Sequence, residues 1–275
     1  MSNCVENIKQ KQRCWALSNN INFSDKGYVE NLSENILDGL DIEVKKRFLH
    51  AGGYELKSKM MALHSSSALV VNIFQYYKRK LMKSEDITAI LKACNINSTT
   101  INYIDFEVKF PISSIKAIPN LDIVFRSANG MVYGLESKFT ETYRKYQFTM
   151  DSYLQPRYQS IWVNLENIHK ALESEYFDHY CYLNYPQLLK HILGLKSELK
   201  DIHKFQLIYL WYDLGCERSF KHRKEIQNFA ELLSKDGIVF KSVTYQEIIR
   251  FLQQNHNVLE DRAYIEYITD RYLNL

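Results

Sequence analysis

Three ionisable residues in the middle of the chain have the types and spacing that phosphate chemistry needs. Asp122 lies in the run Leu121–Phe125, and Glu136 and Lys138 lie in the next run, Val132–Lys138. Both runs are short and apolar, which is typical of β-strands. Side chains two residues apart on a strand share a face. Two carboxylates and an ammonium at one end of a sheet can hold a hard divalent cation beside a phosphate.

The segment between the runs predicts a hairpin that brings these residues together. Residues 126–130 read Arg-Ser-Ala-Asn-Gly, and Asn-Gly is the strongest short hairpin signal. Antiparallel pairing then places Asp122 near Glu136 and Lys138. On these residues alone a second interpretation stays open, in which Asp122 and Lys138 form an ordinary cross-strand ion pair on a half-exposed face.

The preceding segment predicts another strand that approaches the same place. Between Ile101 and Phe110 apolar and polar residues alternate, so Ile104, Phe106, Val108 and Phe110 are expected on one face. Glu107 and Lys109 fall on the polar face. Glu107 is therefore a candidate for an extra carboxylate, although a solvent-facing pair on an edge strand explains it equally well.

Further patterns complete the element order. Residues 54–81 are helically patterned, 205–212 form a nearly continuous apolar run typical of a buried strand, and 238–243 predict a last strand. Helices are expected from Asn184, from about Ser219 to Ser234, and from Thr244. The resulting order predicts an α/β fold with a mixed central sheet flanked by helices. We expect a helical N-terminal extension over 1–50 and a single globular domain over 51–275.

Composition limits the classes of function. The chain has 275 residues, 46% of them apolar, and a net charge of +3, which neither requires nor excludes a nucleic-acid partner. Two basic clusters, at 78–83 and 221–224, are either solvated helix faces or phosphate tracks. The sequence contains no P-loop, no G-x-G-x-x-G after a strand, no G-x-S-x-G and no H-E-x-x-H. No nucleotide cofactor is therefore expected.

The cysteines and the apolar runs indicate where the chain works. Five cysteines are scattered without a CxxC pair or zinc-ligand spacing, which favours free thiols in a reducing compartment. The chain shows no signal-peptide core and no run long enough to span a bilayer. We expect a cytoplasmic protein without a membrane partner.

The segments Asn120–Asp122 and Glu136–Lys138 resemble the motif of the PD-(D/E)XK nuclease superfamily, the restriction-endonuclease-like fold. The element order agrees with that fold's helix-strand-strand-strand-helix-strand core. Pro119 stands three residues before Asp122 rather than directly before it. Residues 64–69, His-Ser-Ser-Ser-Ala-Leu, followed by Asn72, are similar to putative bacterial restriction-endonuclease families. This closer resemblance covers roughly residues 50–250.

The resemblance implies a Mg²⁺-dependent DNA endonuclease of the restriction type, with Mn²⁺ as a substitute ion. Asp122, Glu136 and the backbone carbonyl of Ser137 would bind the metal. Lys138 would hold or deprotonate the attacking water and stabilise the transition state. Glu107, Gln187 and Glu55 are candidates for supporting roles, as implied by their places on the preceding strand and on helices beside the site.

Gln187 and His191 are four residues apart and share a helix face. In parts of the superfamily this helix carries a Gln or a basic residue that faces the site, so Gln187 would orient phosphate or water, with Lys190 or His191 nearby. A buried glutamine that fixes the helix, and serines at 65 and 66 that merely cap the next helix, are the structural alternatives.

Two other functions are compatible with the sequence. One is a non-catalytic nuclease-fold subunit that binds nucleic acid or assists assembly. The other is an interaction protein with an unrelated α/β fold, which requires that Asp122, Glu136 and Lys138 do not meet in space. By resemblance, a homodimer and a partner methyltransferase are further expectations.

Overall fold

The computed structural model describes residues 4–51, 54–97, 100–112, 115–145, 149–257 and 259–273. Within these residues the strands form one sheet in the order β1-β2-β3-β4-β5. The strand bounds are β1 Ile101–Lys109, β2 Asn120–Ser127, β3 Val132–Lys138, β4 Phe205–Trp211 and β5 Val239–Thr244. β1, β2 and β3 are antiparallel neighbours, whereas β4 and β5 run parallel to β3. The predicted mixed α/β sheet is confirmed.

Helices cover both faces of this sheet. Their bounds are α1 Cys4–Ser18, α2 Ile42–His50, α3 Tyr54–Lys57, α4 Ser66–Met82, α5 Thr88–Ala93, α6 Glu166–Leu172, α7 Tyr185–Leu199, α8 Glu217–Lys235, α9 Tyr245–Asn255 and α10 Arg262–Ile268. Short 3₁₀ turns occupy much of the chain between β3 and α7, and a π-helical turn, Thr269–Leu273, follows α10. Much of the segment 140–184 therefore consists of short turns, with α6 as its α-helix among the described residues.

The turn of the central hairpin follows its sequence closely. Gly130 has φ of 84°, a conformation that costs a glycine little. The Ser127 side chain accepts a hydrogen bond from the Met131 backbone N–H at 3.1 Å. Because the turn fixes the pairing of β2 with β3, it also fixes which side chains meet at the far end of the hairpin.

Two apolar cores lie against the sheet. The first joins Phe74 of α4 and Ile248 of α9 to strand residues such as Phe125, and the second joins Leu188 of α7 and Phe229 of α8 to residues such as Val124. β4 is buried along its whole length, as its continuous apolar run predicts. The N-terminal residues are part of the first core, through Ile8, Val44 and Phe48 among others.

The predicted single apolar face of β1 is wrong. Ile104 and Phe106 belong to the first core, whereas Phe110 belongs to the second and Val108 packs against the second. Between them, Glu107 has φ of 51°, in the left-handed region that a non-glycine residue rarely adopts. This one residue turns the following side chains to the opposite side of the sheet.

The long helical pattern over 54–81 also differs from the structure. It is divided into α3, a 3₁₀ turn at Lys59–Met61, and α4. The break comes where the Ser65 side chain accepts a hydrogen bond from the Ala68 N–H and caps α4, which is the structural role foreseen for these serines. Asn72 is buried and bonds the backbone at Asn35 and Leu37.

Helix α7 approaches the connection between β1 and β2 closely because of one glycine. A Cβ atom on Gly194 would lie 2.5 Å from the Phe110 carbonyl oxygen and 3.1 Å from Pro119 Cγ. The absence of a side chain therefore sets how deeply α7 sits on the sheet. The helix begins with Pro186 in its first turn and with the Asn184 side chain as its cap, as predicted.

The basic clusters are largely ion-paired with neighbouring acids. Lys78 pairs with Asp105, Arg79 with Asp41 and Lys80 with Asp261. This arrangement favours the structural interpretation of the 78–83 cluster over a phosphate track.

The cysteines and helices show two further features. Cys14, Cys94 and Cys181 carry free thiols, whereas Cys216 is disulfide-bonded, so the expectation of free thiols is wrong for that residue.

Among the described helices, none is long and apolar enough to cross a membrane.

Candidate active site

The open end of the hairpin brings its polar residues together. At this end of the hairpin the last paired residues of β2 and β3 are Ile123 and Leu135, and Asp122 and Glu136 come next on the two strands. The Asp122 carboxylate accepts a hydrogen bond from the Ser137 backbone N–H at 2.7 Å. Asp122 is thus fixed against the neighbouring strand at the position from which Glu136 and Lys138 also project.

Glu136 is the most buried member of the group, with 1% of its surface exposed. The Lys138 ammonium donates a hydrogen bond to its Oε1. His191 Nε2 lies 2.8 Å from its Oε2, but the two are not aligned as donor and acceptor. Consequently Glu136 Oε2 and both ring nitrogens of His191 have no hydrogen-bond partner among the described residues. Buried polar atoms without a partner are rare and call for an explanation.

Two further carboxylates lie beside this pair. Glu107 Oε2 accepts a weak hydrogen bond from the Asn120 side chain at 3.4 Å. Glu55 accepts a hydrogen bond from Ser67 Oγ and pairs with Lys59 at 3.1 Å. Glu55, Glu107, Asp122 and Glu136 together are referred to below as the acid cluster.

The carboxylates of the cluster interact strongly enough to change their pKa values. Burial raises the pKa of Glu107 to about 8, with help from the charges of Glu55 and Glu136. Burial likewise raises the pKa of Asp122 well above its usual value, and Glu136 and Glu107 add to the shift. Like charges that share a site oppose each other's ionisation. A positive charge placed among them would remove that opposition.

Glu136 and Lys138 behave in the opposite way because they face each other. Burial by itself raises the pKa of Glu136, but Lys138 and His191 outweigh it and hold the value at about 2. Burial by itself lowers the pKa of Lys138, and the Glu136 and Asp122 carboxylates outweigh it and raise the value. Lys138 is therefore a charged ammonium in this state.

The acid cluster opens into a cleft of about 410 Å³ between the hairpin and the start of α4. We call it the hairpin cleft. Its walls include Glu55, Lys59, His64, Ser65, Ser66, Ser67, Asp122, Glu136, Ser137, Lys138, Glu141, Arg144 and Gln187. A smaller cavity of about 210 Å³ shares Lys138, Glu141 and Gln187 with it.

Two residues outside the predicted motif organise the walls of the cleft. The Glu141 carboxylate accepts hydrogen bonds from the Phe139 N–H at 2.9 Å, the Thr140 N–H at 3.0 Å and Ser66 Oγ at 2.8 Å. The Tyr245 hydroxyl lies 2.6 Å from Ser137 Oγ, which fixes the middle residue of the Glu136–Lys138 segment from the other face of the sheet.

A comparison of the sequence with protein families decides its membership. The family described as "Restriction Endonuclease associating with ARP" matches residues 4–273. The chain belongs to this family. No curated protein and no solved structure gives a significant match.

In this member of the restriction-endonuclease family, the predicted site residues fall into two groups. Glu55, Asp122, Glu136, Lys138 and Gln187 line the hairpin cleft, and Glu107 is close enough to influence the Asp122 carboxyl. Lys109, by contrast, reaches away to the His50 carbonyl at 2.7 Å. The three motif residues do meet in space. This contradicts the condition for the third alternative, an interaction protein with an unrelated α/β fold.

The chemistry of the acid cluster fits a hard divalent cation. Two carboxylates, one of them with a buried oxygen that accepts no hydrogen bond within the described residues, are the oxygen donors that Mg²⁺ takes while it keeps several waters. In the described part of the chain, no group of three or more His, Cys, Asp or Glu side chains is arranged as a metal site. A cation here would therefore rely on Asp122, Glu136, backbone oxygen and water.

The functional candidates that the sequence did not reveal are Glu141, Arg144, Lys59 and Tyr245. No motif includes them, because they reach the site through the fold rather than through spacing along the chain. The proximity of Glu141 and Arg144 to Lys138 in the sequence was the sole available signal.

Proposed function

We propose that this protein is a Mg²⁺-dependent endonuclease of the PD-(D/E)XK type that hydrolyses phosphodiester bonds in double-stranded DNA. The observation that carries the proposal is the meeting of Asp122, Glu136 and Lys138 at one end of the central hairpin, facing an open cleft. Membership of a restriction-endonuclease family supports DNA as the substrate.

Asp122, Glu136 and the Ser137 carbonyl would hold the Mg²⁺, or Mn²⁺ in its place. When bound, the ion supplies an activated water and neutralises charge at the scissile phosphate. Asp122 is held in position by the Ser137 N–H, and Glu136 by Lys138. The chain therefore preorganises both carboxylates before any substrate arrives.

Lys138 serves the phosphate and the attacking water. Its raised pKa keeps it protonated, so its first role is to donate hydrogen bonds to a phosphate oxygen and stabilise the negative charge of the transition state. His191 lies against Glu136 from α7, and Gln187 projects from the same helix face into the cleft. We assign Gln187 to orienting the water or the phosphate, and Glu107 and Glu55 to supporting the cation.

The partners of the chain are also part of the proposal. The family's description names an association with ARP, and we extend that association to this member. We further propose a homodimer, because two copies of a single-site nuclease can cut both strands of a duplex, and a cytoplasmic location.

The test is cleavage of supercoiled plasmid and genomic DNA with Mg²⁺ or Mn²⁺, beside EDTA. Lys138→Ala is expected to lose metal-dependent cutting, whereas Lys46→Ala, which removes an exposed lysine paired with Glu43, is expected to retain it. Cutting that survives in Lys138→Ala would contradict the assigned centre.

A second measurement separates catalysis from a non-catalytic role. Calorimetric titration with Mg²⁺ or Mn²⁺ is expected to show binding that Asp122→Ala abolishes. Absence of both metal binding and cleavage, on methylated and unmethylated DNA, would favour the non-catalytic subunit instead.

A further inference from the structure

The hairpin cleft has an unusual balance of charge for a surface that receives a polyanion. Four carboxylates line it, from Glu55, Asp122, Glu136 and Glu141. The cations among its lining residues are Lys59, Lys138 and Arg144. A phosphodiester that enters must therefore find a positive charge that the acids have not already engaged.

Two of the three cations are engaged. Lys138 donates to Glu136, and Lys59 pairs with Glu55. His64 adds no charge near neutral pH, because burial first, and then the nearby cations Lys9, Arg13 and Arg144, lower its pKa to about 4. Arg144, which is exposed, has no ion pair within the described residues.

The backbone of Arg144 is held in place by a hydrogen bond, and other basic side chains lie beside it. It follows the 3₁₀ turn Glu141–Tyr143, where its N–H bonds the Glu141 carbonyl. Arg218 donates to the Tyr143 carbonyl at 2.8 Å, so a second guanidinium is anchored one residue away. Lys145 is close enough to the start of α8 that, after Lys221 and Arg218, it helps to lower the pKa of Glu217.

We infer that Arg144, Lys145 and Arg218 form a basic strip that binds the sugar-phosphate backbone of double-stranded DNA beside the hairpin cleft, with Arg144 on the phosphate nearest Lys138. This inference rests on the proposed function, since it takes the cleft as the cutting site. The planar guanidinium of Arg144 offers a bidentate fit to a phosphate that a lysine lacks.

The strip is tested by DNA binding without cleavage. Fluorescence anisotropy with a labelled 30-base-pair duplex of mixed sequence, in EDTA and at several salt concentrations, gives the slope of log affinity against log salt. Each phosphate contact contributes about 0.9 to that slope. Arg144→Ala is expected to reduce the slope by about 0.9, and Arg144→Ala/Lys145→Ala by about twice that amount.

Matched variants separate a contact from a fold effect. Arg144→Lys keeps the charge and is expected to keep most of the slope. Arg262→Ala removes an exposed arginine paired with Glu266 on α10 and is expected to leave the slope unchanged. An Arg144→Ala slope equal to that of the folded wild type overturns the inference. The inference is also overturned if the protein binds an RNA duplex of the same sequence but does not bind the DNA duplex.

The outcome is independent of catalysis. An Arg144-dependent slope, together with the absence of both metal binding and cleavage in the tests above, would uphold the strip and reject the nuclease. Cutting with a slope that does not depend on Arg144 would uphold the nuclease and reject the strip.

Discussion

Two buried polar clusters in this molecule are built in opposite ways. Arg271 is fully buried, and its guanidinium donates to the Asn35 carbonyl at 2.9 Å, Tyr267 Oη at 2.6 Å and Gln12 Oε1 at 3.2 Å. It also stacks over the Trp15 ring at 4.2 Å. The acid cluster instead places like charges together and leaves Glu136 Oε2 without a hydrogen bond.

The difference teaches what each cluster is for. The Arg271 cluster satisfies its donors from the protein alone, and it ties α1, the loop at Asn35 and the C-terminal turn into one unit. The acid cluster keeps the pKa values of Glu107 and Asp122 raised, a cost that a bound cation would offset. Sites that act on a ligand commonly give up stability in this manner.

The largest effect is expected from a change that leaves the acid cluster's shape intact. Asp122→Asn preserves an oxygen that can accept from the Ser137 N–H but removes the charge that would bind Mg²⁺. Cleavage is expected to fall at least about 10³-fold, equivalent to about 4 kcal/mol of barrier. The free energy of unfolding, measured by urea titration in EDTA, is expected not to fall. A variant that unfolds more easily would mean that Asp122 stabilises the fold.

Arg271→Met is expected to lower the stability of the fold and to leave cleavage unchanged. Its acceptors, among them the Asn35 side-chain oxygen and the Leu63 carbonyl, would be left buried without donors. Each orphaned group costs about 1–3 kcal/mol, so unfolding is expected to become easier by about 3–5 kcal/mol. Denaturant titration measures this loss, and cleavage per folded molecule is expected to stay unchanged. A free energy of unfolding within about 1 kcal/mol of wild type would contradict a stabilising role for the Arg271 cluster.

Added Mg²⁺ is expected to stabilise the folded protein by binding at the acid cluster. At about 100 times its dissociation constant, a cation that binds only the folded state stabilises it by about 2.7 kcal/mol. Thermal or urea unfolding with and without Mg²⁺ measures the gain. Arg271→Met is expected to keep the increment, and Asp122→Ala to lose it. An equal increment in both variants would place the cation elsewhere.

The pH dependence of stability should reveal Glu107. In the unfolded chain this carboxyl ionises near 4.5, but in the fold only at about 8. The folded state therefore holds an extra proton between these values, and the contribution of Glu107 is present below pH 4.5 and lost as the pH rises through 8. In EDTA, the stability of wild type relative to Glu107→Gln is expected to fall across this window by at most about 1.4 kcal/mol per pH unit.

Comparing the stability of wild type with that of Glu107→Gln removes the contribution of other titrating groups to the pH dependence. His64 has its pKa lowered to about 4, so its contribution is lost as the pH falls and opposes the trend of Glu107. Glu107→Gln leaves His64 in place, and the subtraction cancels it. A difference that is flat from pH 5 to 8 would show that the Glu107 carboxyl is ionised throughout.

The smallest effect concerns the support of Ser137. Tyr245→Phe leaves the buried Ser137 hydroxyl without its partner at 2.6 Å, at an expected cost of about 1 kcal/mol. The double variant Ser137→Ala/Tyr245→Phe removes both groups and is expected to recover most of that loss. Urea titrations of the two singles and the double complete the cycle. Strict additivity would mean that the two hydroxyls do not interact.

The sequence predicted those features that depend on neighbours along the chain. The Asn129-Gly130 turn, the apolar β4 and the capped start of α7 are each encoded within a few residues. The same local logic predicted that the hairpin brings Asp122 near Glu136 and Lys138. The roles of these residues stay predictions, since they depend on a cation and a substrate.

The features that escaped prediction depend on contacts between distant segments. The alternation of β1 gave no sign of the left-handed backbone at Glu107, because this conformation follows from packing on both sides of the sheet rather than from residue type. Glu141 reaches Ser66 across 75 positions of the chain. No spacing rule could relate these two residues.

The reversal at Glu107 has a consequence for how the molecule opens. β1 begins in one apolar core and ends in the other, so this strand, like β2, β3 and β4, is shared between them. Neither core can detach without pulling that strand out of the sheet. Amide protons of β1, α4 and α7 should therefore exchange with solvent at similar, slow rates, as members of one cooperative unit.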